Sequence, residues 1–92
     1  MLKSVILYGR EGCCLCDDAR AVLARVRARR PFAFRELDID RDDALLHAYL
    51  ERIPVVTIDG IEAFELSVDE AGLERLIEAP EPPHGASRVG PG

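Results

Sequence analysis

Nowhere in the 92-residue chain does an apolar run approach the roughly 20 residues of a membrane span. The start Met1-Leu2-Lys3-Ser4 leads into a short apolar stretch with no small-residue cleavage site. The expectation is a cytoplasmic protein that does not touch membrane. A net basic surface is missing as well: the formal charge is −5 at pH 7, and phosphate backbones bind surfaces of the opposite sign. Nucleic acid is therefore not an expected partner. The one basic cluster, Arg25, Arg27, Arg29 and Arg30, falls where a helix should end, and cations there suit the negative end of its dipole. Cysteine is scarce and concentrated. Its three copies, Cys13, Cys14 and Cys16, lie within four positions and cannot staple distant parts of a secreted domain. Their clustering points to reactivity or metal.

No internal repeat is present, and 92 residues supply one compact core. A domain this small buries only about 60% of the surface of its unfolded chain, so large substrates should bind on the outside. Residues 80–92, PEPPHGASRVGPG, hold four of the six prolines and three of the seven glycines. This segment is expected to be a disordered tail without chemistry, and His84 lies in it. The domain is residues 1–79.

Within it, strand and helix signals alternate. Val5-Ile6-Leu7-Tyr8 is the continuous apolar run of a buried strand, and Gly9 and Gly12 mark the turn after it. From about Cys14 to Arg29, Leu15, Ala19, Val22, Leu23 and Val26 recur on one helical face. Pro31 ends that helix, and Phe32 to Asp38 alternates as a second strand, with Phe32, Phe34 and Ile39 available to the core. Asp40 to Leu50 predicts a second helix through Leu45, Ala48 and Tyr49. Val55 to Ile58 and Ile61 to Leu66 flank Asp59-Gly60, the turn dipeptide of a hairpin. Ser67-Val68-Asp69-Glu70 reads as a capping box opening a last helix with Leu73, Leu76 and Ile77 on one face. The order β-α-β-α-β-β-α is the minimal thioredoxin-like arrangement, and C-x-x-C directly after the first strand, together with a proline immediately before the third, points to an α/β fold of that kind with a four-stranded mixed sheet.

The C-x-x-C pair sits where its chemistry is favoured. A thiolate, not a thiol, attacks a disulfide, and a helix N-terminus offers N–H groups and partial positive charge to an ionised sulfur. Cys13 falls at that point. Cys16, three residues on, lies within disulfide reach at the edge of the apolar stripe, while Cys13 turns away from it. An exposed nucleophile with a sheltered resolving thiol is what exchange through a mixed disulfide needs. Arg10 either adds positive charge at that sulfur or is a solvated loop arginine; Asp17 and Asp18 suit the first helical turn and oppose a thiolate. Pro54 reads as a strand-starting proline or as a cis X-Pro that turns the Ile53 backbone toward Cys13 for pairing with an extended substrate.

Residues 4–79 resemble the glutaredoxin-like family of short bacterial thioredoxin-fold proteins, through Leu7-Tyr8-Gly9-Arg10-Glu11-Gly12-Cys13-Cys14-Leu15-Cys16-Asp17, Arg52-Ile53-Pro54-Val55 and Asp59-Gly60. The resemblance implies a thiol–disulfide oxidoreductase acting on protein or low-molecular-weight disulfides, with Cys13 as nucleophile, Cys16 as resolving thiol and cis Pro54 beside them. Glutaredoxins proper carry Pro and an aromatic residue between the cysteines, and a diglycine with an acidic residue before the last helix to hold glutathione. Here Cys14-Leu15 and Ser67-Val68-Asp69 stand in those places, so glutathione remains open as the reductant. No tightly bound cofactor or metal is expected, and a monomer is. Two other classes use the same residues: a module that binds or delivers metal through Cys13, Cys14 and Cys16, and a redox-inert adaptor built on the same fold. His47 is expected on a solvated helix face, away from the cysteines.

Overall fold

A computed structural model describes residues 2–79. The expected tail, with His84, lies outside the described residues. Strands β1 (Ser4–Gly9), β2 (Ala33–Asp38), β3 (Val55–Ile58) and β4 (Ile61–Glu65) form one sheet in the order β2-β1-β3-β4. Helices α1 (Cys14–Arg29), α2 (Asp43–Tyr49) and α3 (Glu70–Glu78) complete it. β1 pairs parallel with β2 and antiparallel with β3, and β3 pairs antiparallel with β4. This is the mixed, thioredoxin-like sheet that the order of signals predicts.

The central position of β1 explains its uninterrupted apolar run, because both of its faces are covered. Val5 and Leu7 point to one side, where Ala19, Leu23 and Val26 of α1, Phe32, Val56 and Leu73 of α3 join them in a buried cluster. Tyr8 points to the other side and packs with Leu45, Leu46 and Tyr49 of α2 around Cys16, Ile39 and Ile53. Each fully buried Leu, Val or Phe stabilises the fold by roughly 1.5–3 kcal/mol. The hairpin turn takes positive φ at both Asp59 (52°) and Gly60 (85°), as a tight two-residue connection requires. Its first residue also ties down β1: Ser4 N–H donates to the Asp59 carboxylate at 2.9 Å, and Asp59 N–H donates to the Ser4 carbonyl at 2.8 Å.

Several local expectations change. Leu15 and Leu76, counted on apolar faces, are 47% and 43% exposed, because neither has another element packed over it. The second helix starts late. Asp38 caps a 3-10 turn over Ile39–Arg41 by accepting from Asp40 N–H, and Asp42 then caps α2 by accepting from Ala44 and Leu45 N–H. Two aspartate caps four residues apart split what periodicity reads as one helix. The capping box also fails. Leu66 adopts a positive φ (71°), which leaves Ser67 in the connection, and Asp69 caps α3 instead by accepting from Gly72 N–H at 3.0 Å. A Cβ at position 72 would stand 2.6 Å from that carboxylate oxygen, so any larger residue there would make the Asp69 side chain shift.

Glu70, freed from the capping box, meets the basic cluster of α1. Arg25 and Arg29 reach it at 2.9 and 3.0 Å, Arg29 also reaches Glu74 at 3.0 Å, and Arg30 reaches Glu78 at 2.7 Å. The helix-end arginines thus clasp α3 to α1. Arg27 instead donates to the Phe32 carbonyl and lies over the Phe32 and Phe34 rings. Exposed pairs are individually worth only about 0–1 kcal/mol. Glu70→Gln, which frees Arg25 and leaves Arg29 with Glu74 alone, should lower the urea midpoint slightly at low salt, and the loss should shrink in about 1 M salt as screening removes the pairs.

Candidate active site

The end of β1 and the start of α1 build the reactive corner. Gly9 closes the strand, and a Cβ there would lie 3.0 Å from Cys16 Sγ, so only glycine lets the strand approach the thiol this closely. Gly12, at φ 79°, makes the turn that brings the chain to the helix. Cys13 is the N-cap residue of α1, with extended backbone, and its Sγ accepts from Cys16 N–H at 3.2 Å. A donor aimed at that sulfur satisfies one of the helix's open N–H groups. Gly9→Ala should displace the Cys16 side chain and cost about 1–3 kcal/mol, read as a lower urea midpoint.

The cysteines differ sharply in environment. Cys13 is half-buried, Cys14 is exposed, Cys16 is fully buried, and all three are free thiols. Burial pushes the Cys16 thiol up to about 11, its hydrogen bond to Cys13 adds to this, and the Arg10 backbone N–H pulls the other way. Cys16 is thereby held as a thiol that faces the Cys13 sulfur.

Ile53 and Cys16 share one buried cluster, against which Cys13 packs. The Ile53-Pro54 bond is cis. The loop is held from below by the Leu66 N–H, which donates to the carbonyls of both Arg52 (3.2 Å) and Pro54 (2.8 Å). Among the described residues, nothing hydrogen-bonds to the backbone of Ile53. Arg10 enters differently from a side-chain charge at the sulfur: its guanidinium sits 3.2 Å from Asp40, and its backbone N–H serves Cys16. Asp17 pairs with Arg20, which also reaches Glu36 at 2.7 Å. Cys14 stands apart from the cluster, and His47 lies exposed on α2. Among the described residues, no group of three or more His, Cys, Asp or Glu side chains is placed to hold a metal ion.

The sequence reading passed over one layer of the site. Tyr8 and Tyr49 stack at 4.7 Å between ring centroids, and the Arg52 guanidinium lies 5.5 Å from the Tyr49 centroid. Arg52 is fixed in turn by Glu65 at 2.8 Å and by Glu62. Burial, followed by Tyr8, raises the Tyr49 hydroxyl above its ordinary value. This stack connects β4 to the wall of the cysteine cluster. The only hint in the sequence is Arg52 beside Ile53-Pro54, since no spacing rule joins residues 8, 49, 62 and 65.

Solved structures share this architecture. Protein Ne2328 from Nitrosomonas europaea is 25% identical with a TM-score of 0.73, and the match covers 84% of this chain and 93% of that one. Target protein XcR50 from X. campestris is 36% identical with a TM-score of 0.67, covering 83% of this chain and 99% of the other. A mutant thioredoxin from Halobacterium salinarum, 24% identical with a TM-score of 0.65 over 87% of this chain and 78% of its own, shares the fold. No curated protein sequence matches the chain. Among the described residues, no helix is long and apolar enough to cross a membrane. The family model of the glutaredoxin-like domain (DUF836) matches residues 4–78, and with the thioredoxin-like sheet and the cysteine pair at the head of α1 already in place, the chain belongs to that family.

Proposed function

We propose that the protein is a thiol–disulfide oxidoreductase that uses Cys13 and Cys16 on protein or small-molecule disulfides in the cytoplasm. The observation that carries this reading is the contrast across one helical turn: a half-exposed sulfur capping α1 and receiving the Cys16 N–H, and a buried thiol behind it held protonated. In the first step the Cys13 thiolate attacks one sulfur of a substrate disulfide. The substrate S–S bond breaks, and the departing thiolate takes a proton from solvent. In the second, Cys16 gives up its proton and attacks the Cys13 sulfur, which releases the second substrate thiol and leaves a Cys13–Cys16 disulfide. The substrate gains two electrons and two protons, and the protein dithiol loses them. A second dithiol or a low-molecular-weight thiol such as glutathione resets the pair.

Ile53 supports the substrate side of this reading. Its unpartnered backbone beside the cysteines suits an extended client segment added by main-chain hydrogen bonds. Arg10 assists through its backbone N–H at Cys16. Pro54 completes the docking loop. Asp69, in the segment that occupies the diglycine region of glutaredoxins, is engaged as the α3 cap.

The test is mass spectrometry of alkylated thiols across glutathione buffers of graded potential, with metal content read on the same sample. The expected result is a reversible two-electron loss linking Cys13 to Cys16, with Cys14 alkylated throughout and no stoichiometric metal. Copper, zinc or iron bound through all three sulfurs would overturn the proposal in favour of a metal module. Thiols that stay reduced at every potential would leave an adaptor.

A further inference from the structure

An open groove of about 720 Å³ runs along α2 and the segment after it, lined by Asp43, Leu46, His47, Leu50, Glu51 and Arg52. It is continuous with the thiol site in two ways. Leu46 lies both in its wall and against the cluster of Cys16, Ile39 and Ile53, and Arg52 directly precedes Ile53. Its apolar lining is Leu46, Ala48 and Leu50, the last 44% exposed. Its charge is one-sided. The arginines at this end are matched by carboxylates: Arg52 by Glu62 and Glu65, Arg10 by Asp40, Arg41 by Asp38. Among the described residues, Asp43 and Glu51 have no ion pair. The groove therefore presents two free carboxylates beside the side chains of Leu46 and Leu50, and the arginines of the α1–α3 clasp are not among its lining residues.

Resting on the oxidoreductase reading of Cys13, we propose that this groove seats a protein client beside its disulfide, and that the client segment it takes is cationic with an apolar residue between its charges. A chain paired to the Ile53 backbone leaves the site past Arg52 and Leu46, which delivers its next side chains to Asp43, Leu50 and Glu51. Lysine or arginine there meets unpaired carboxylates, while an acidic segment meets repulsion. The same charges disfavour small anionic disulfides, which have nothing to place in the groove.

The experiment compares two peptides of equal length, each with one cysteine in a disulfide to 2-mercaptoethanol, flanked by lysine and leucine or by glutamate and leucine. Attack by Cys13 on the peptide sulfur breaks that disulfide and releases 2-mercaptoethanol, and Cys16 then frees the peptide thiol. Neutral hydroxyethyl disulfide serves as the reference substrate. The lysine peptide should react about tenfold faster than the glutamate peptide at low salt, as expected for two exposed charge pairs each worth a few-fold. The ratio should fall below about twofold near 1 M salt, where the screening length is about 3 Å. Glu51→Lys should bring the low-salt ratio near one, and Asp43→Asn combined with it should invert the preference. Equal rates for the two peptides, a faster glutamate peptide, or a ratio that both variants leave intact would overturn the assignment of the groove while leaving the oxidoreductase reading standing. Inertness toward hydroxyethyl disulfide as well would remove that reading and the groove assignment together.

Discussion

Cys16→Ser should accumulate a mixed disulfide with an oxidised client and release none of it, while Cys13→Ser should form almost no adduct. The difference follows from position on one helix. Cys13 caps α1 with its sulfur half-exposed and receives the Cys16 N–H, so it can meet a substrate sulfur from solvent. Cys16 is buried against Ile39 and Ile53 and is held protonated, so it reaches only the Cys13 sulfur once that is joined to substrate. Turnover of a substrate that needs both thiols should drop to background in either variant. Cys14→Ser should stay within about twofold of the parent, the usual range for a surface substitution. A non-reducing gel followed by identification of the linked cysteine reads all three. An adduct carried by Cys16 would reverse the roles, and loss of activity in Cys14→Ser would bring the third sulfur into the chemistry.

The second large effect is the concealment of Cys16. At pH 8, a thiol raised from its ordinary 9.0 to about 11 has a thiolate fraction about a hundredfold lower. Its complete burial slows alkylation further. Timed iodoacetamide labelling should modify Cys14 and Cys13 well before Cys16, and the order should collapse in denaturant. The same shift links stability to pH. The folded state holds the Cys16 proton more tightly than the unfolded chain, so this contribution is fully present below about pH 9 and is lost as pH climbs through about 11. The ceiling is about 3 kcal/mol, at about 1.4 kcal/mol per pH unit. Urea unfolding of the parent and of Cys16→Ser between pH 7 and 11 should therefore converge as pH rises. A constant gap between them would mean that the buried thiol is not the source of the slope.

Much of this architecture is legible in the sequence because it is local. Val5 to Tyr8 announces a strand covered on both faces, the apolar stripe and Pro31 bound α1 closely, and Asp59-Gly60 fixes the hairpin. The cysteine pair could be placed at a helix start from its distance to β1, and Ile53-Pro54 from its distance to β3. What escaped depends on residues far apart in the chain. Leu15 and Leu76 repeat with the right period, yet periodicity does not say whether another element covers that point of the helix. Asp42 and Asp69 displaced the expected helix starts because several capping residues stood within a few positions, and only the surrounding backbone selects among them. The partners of Arg25 and Arg29, more than 40 residues away, and the stack of Tyr8 on Tyr49 come from topology alone.

The central place of β1 also has a consequence for biosynthesis. Its antiparallel partner begins at Val55, and the Ser4–Asp59 exchange that ties it down spans 55 positions. The sheet therefore cannot close around β1 until most of the domain has left the ribosome, as is general for sheets built from distant pairings. Ile39 and Ile53, which wall off Cys16, are translated after it. On the nascent chain Cys16 lacks the cover that Ile39 and Ile53 supply, so its sheltered character arises only after those residues have packed over it. An oxidant encountered before that moment meets a resolving thiol that is still open to solvent, and the shielding of Cys16 is a property the protein acquires late in folding.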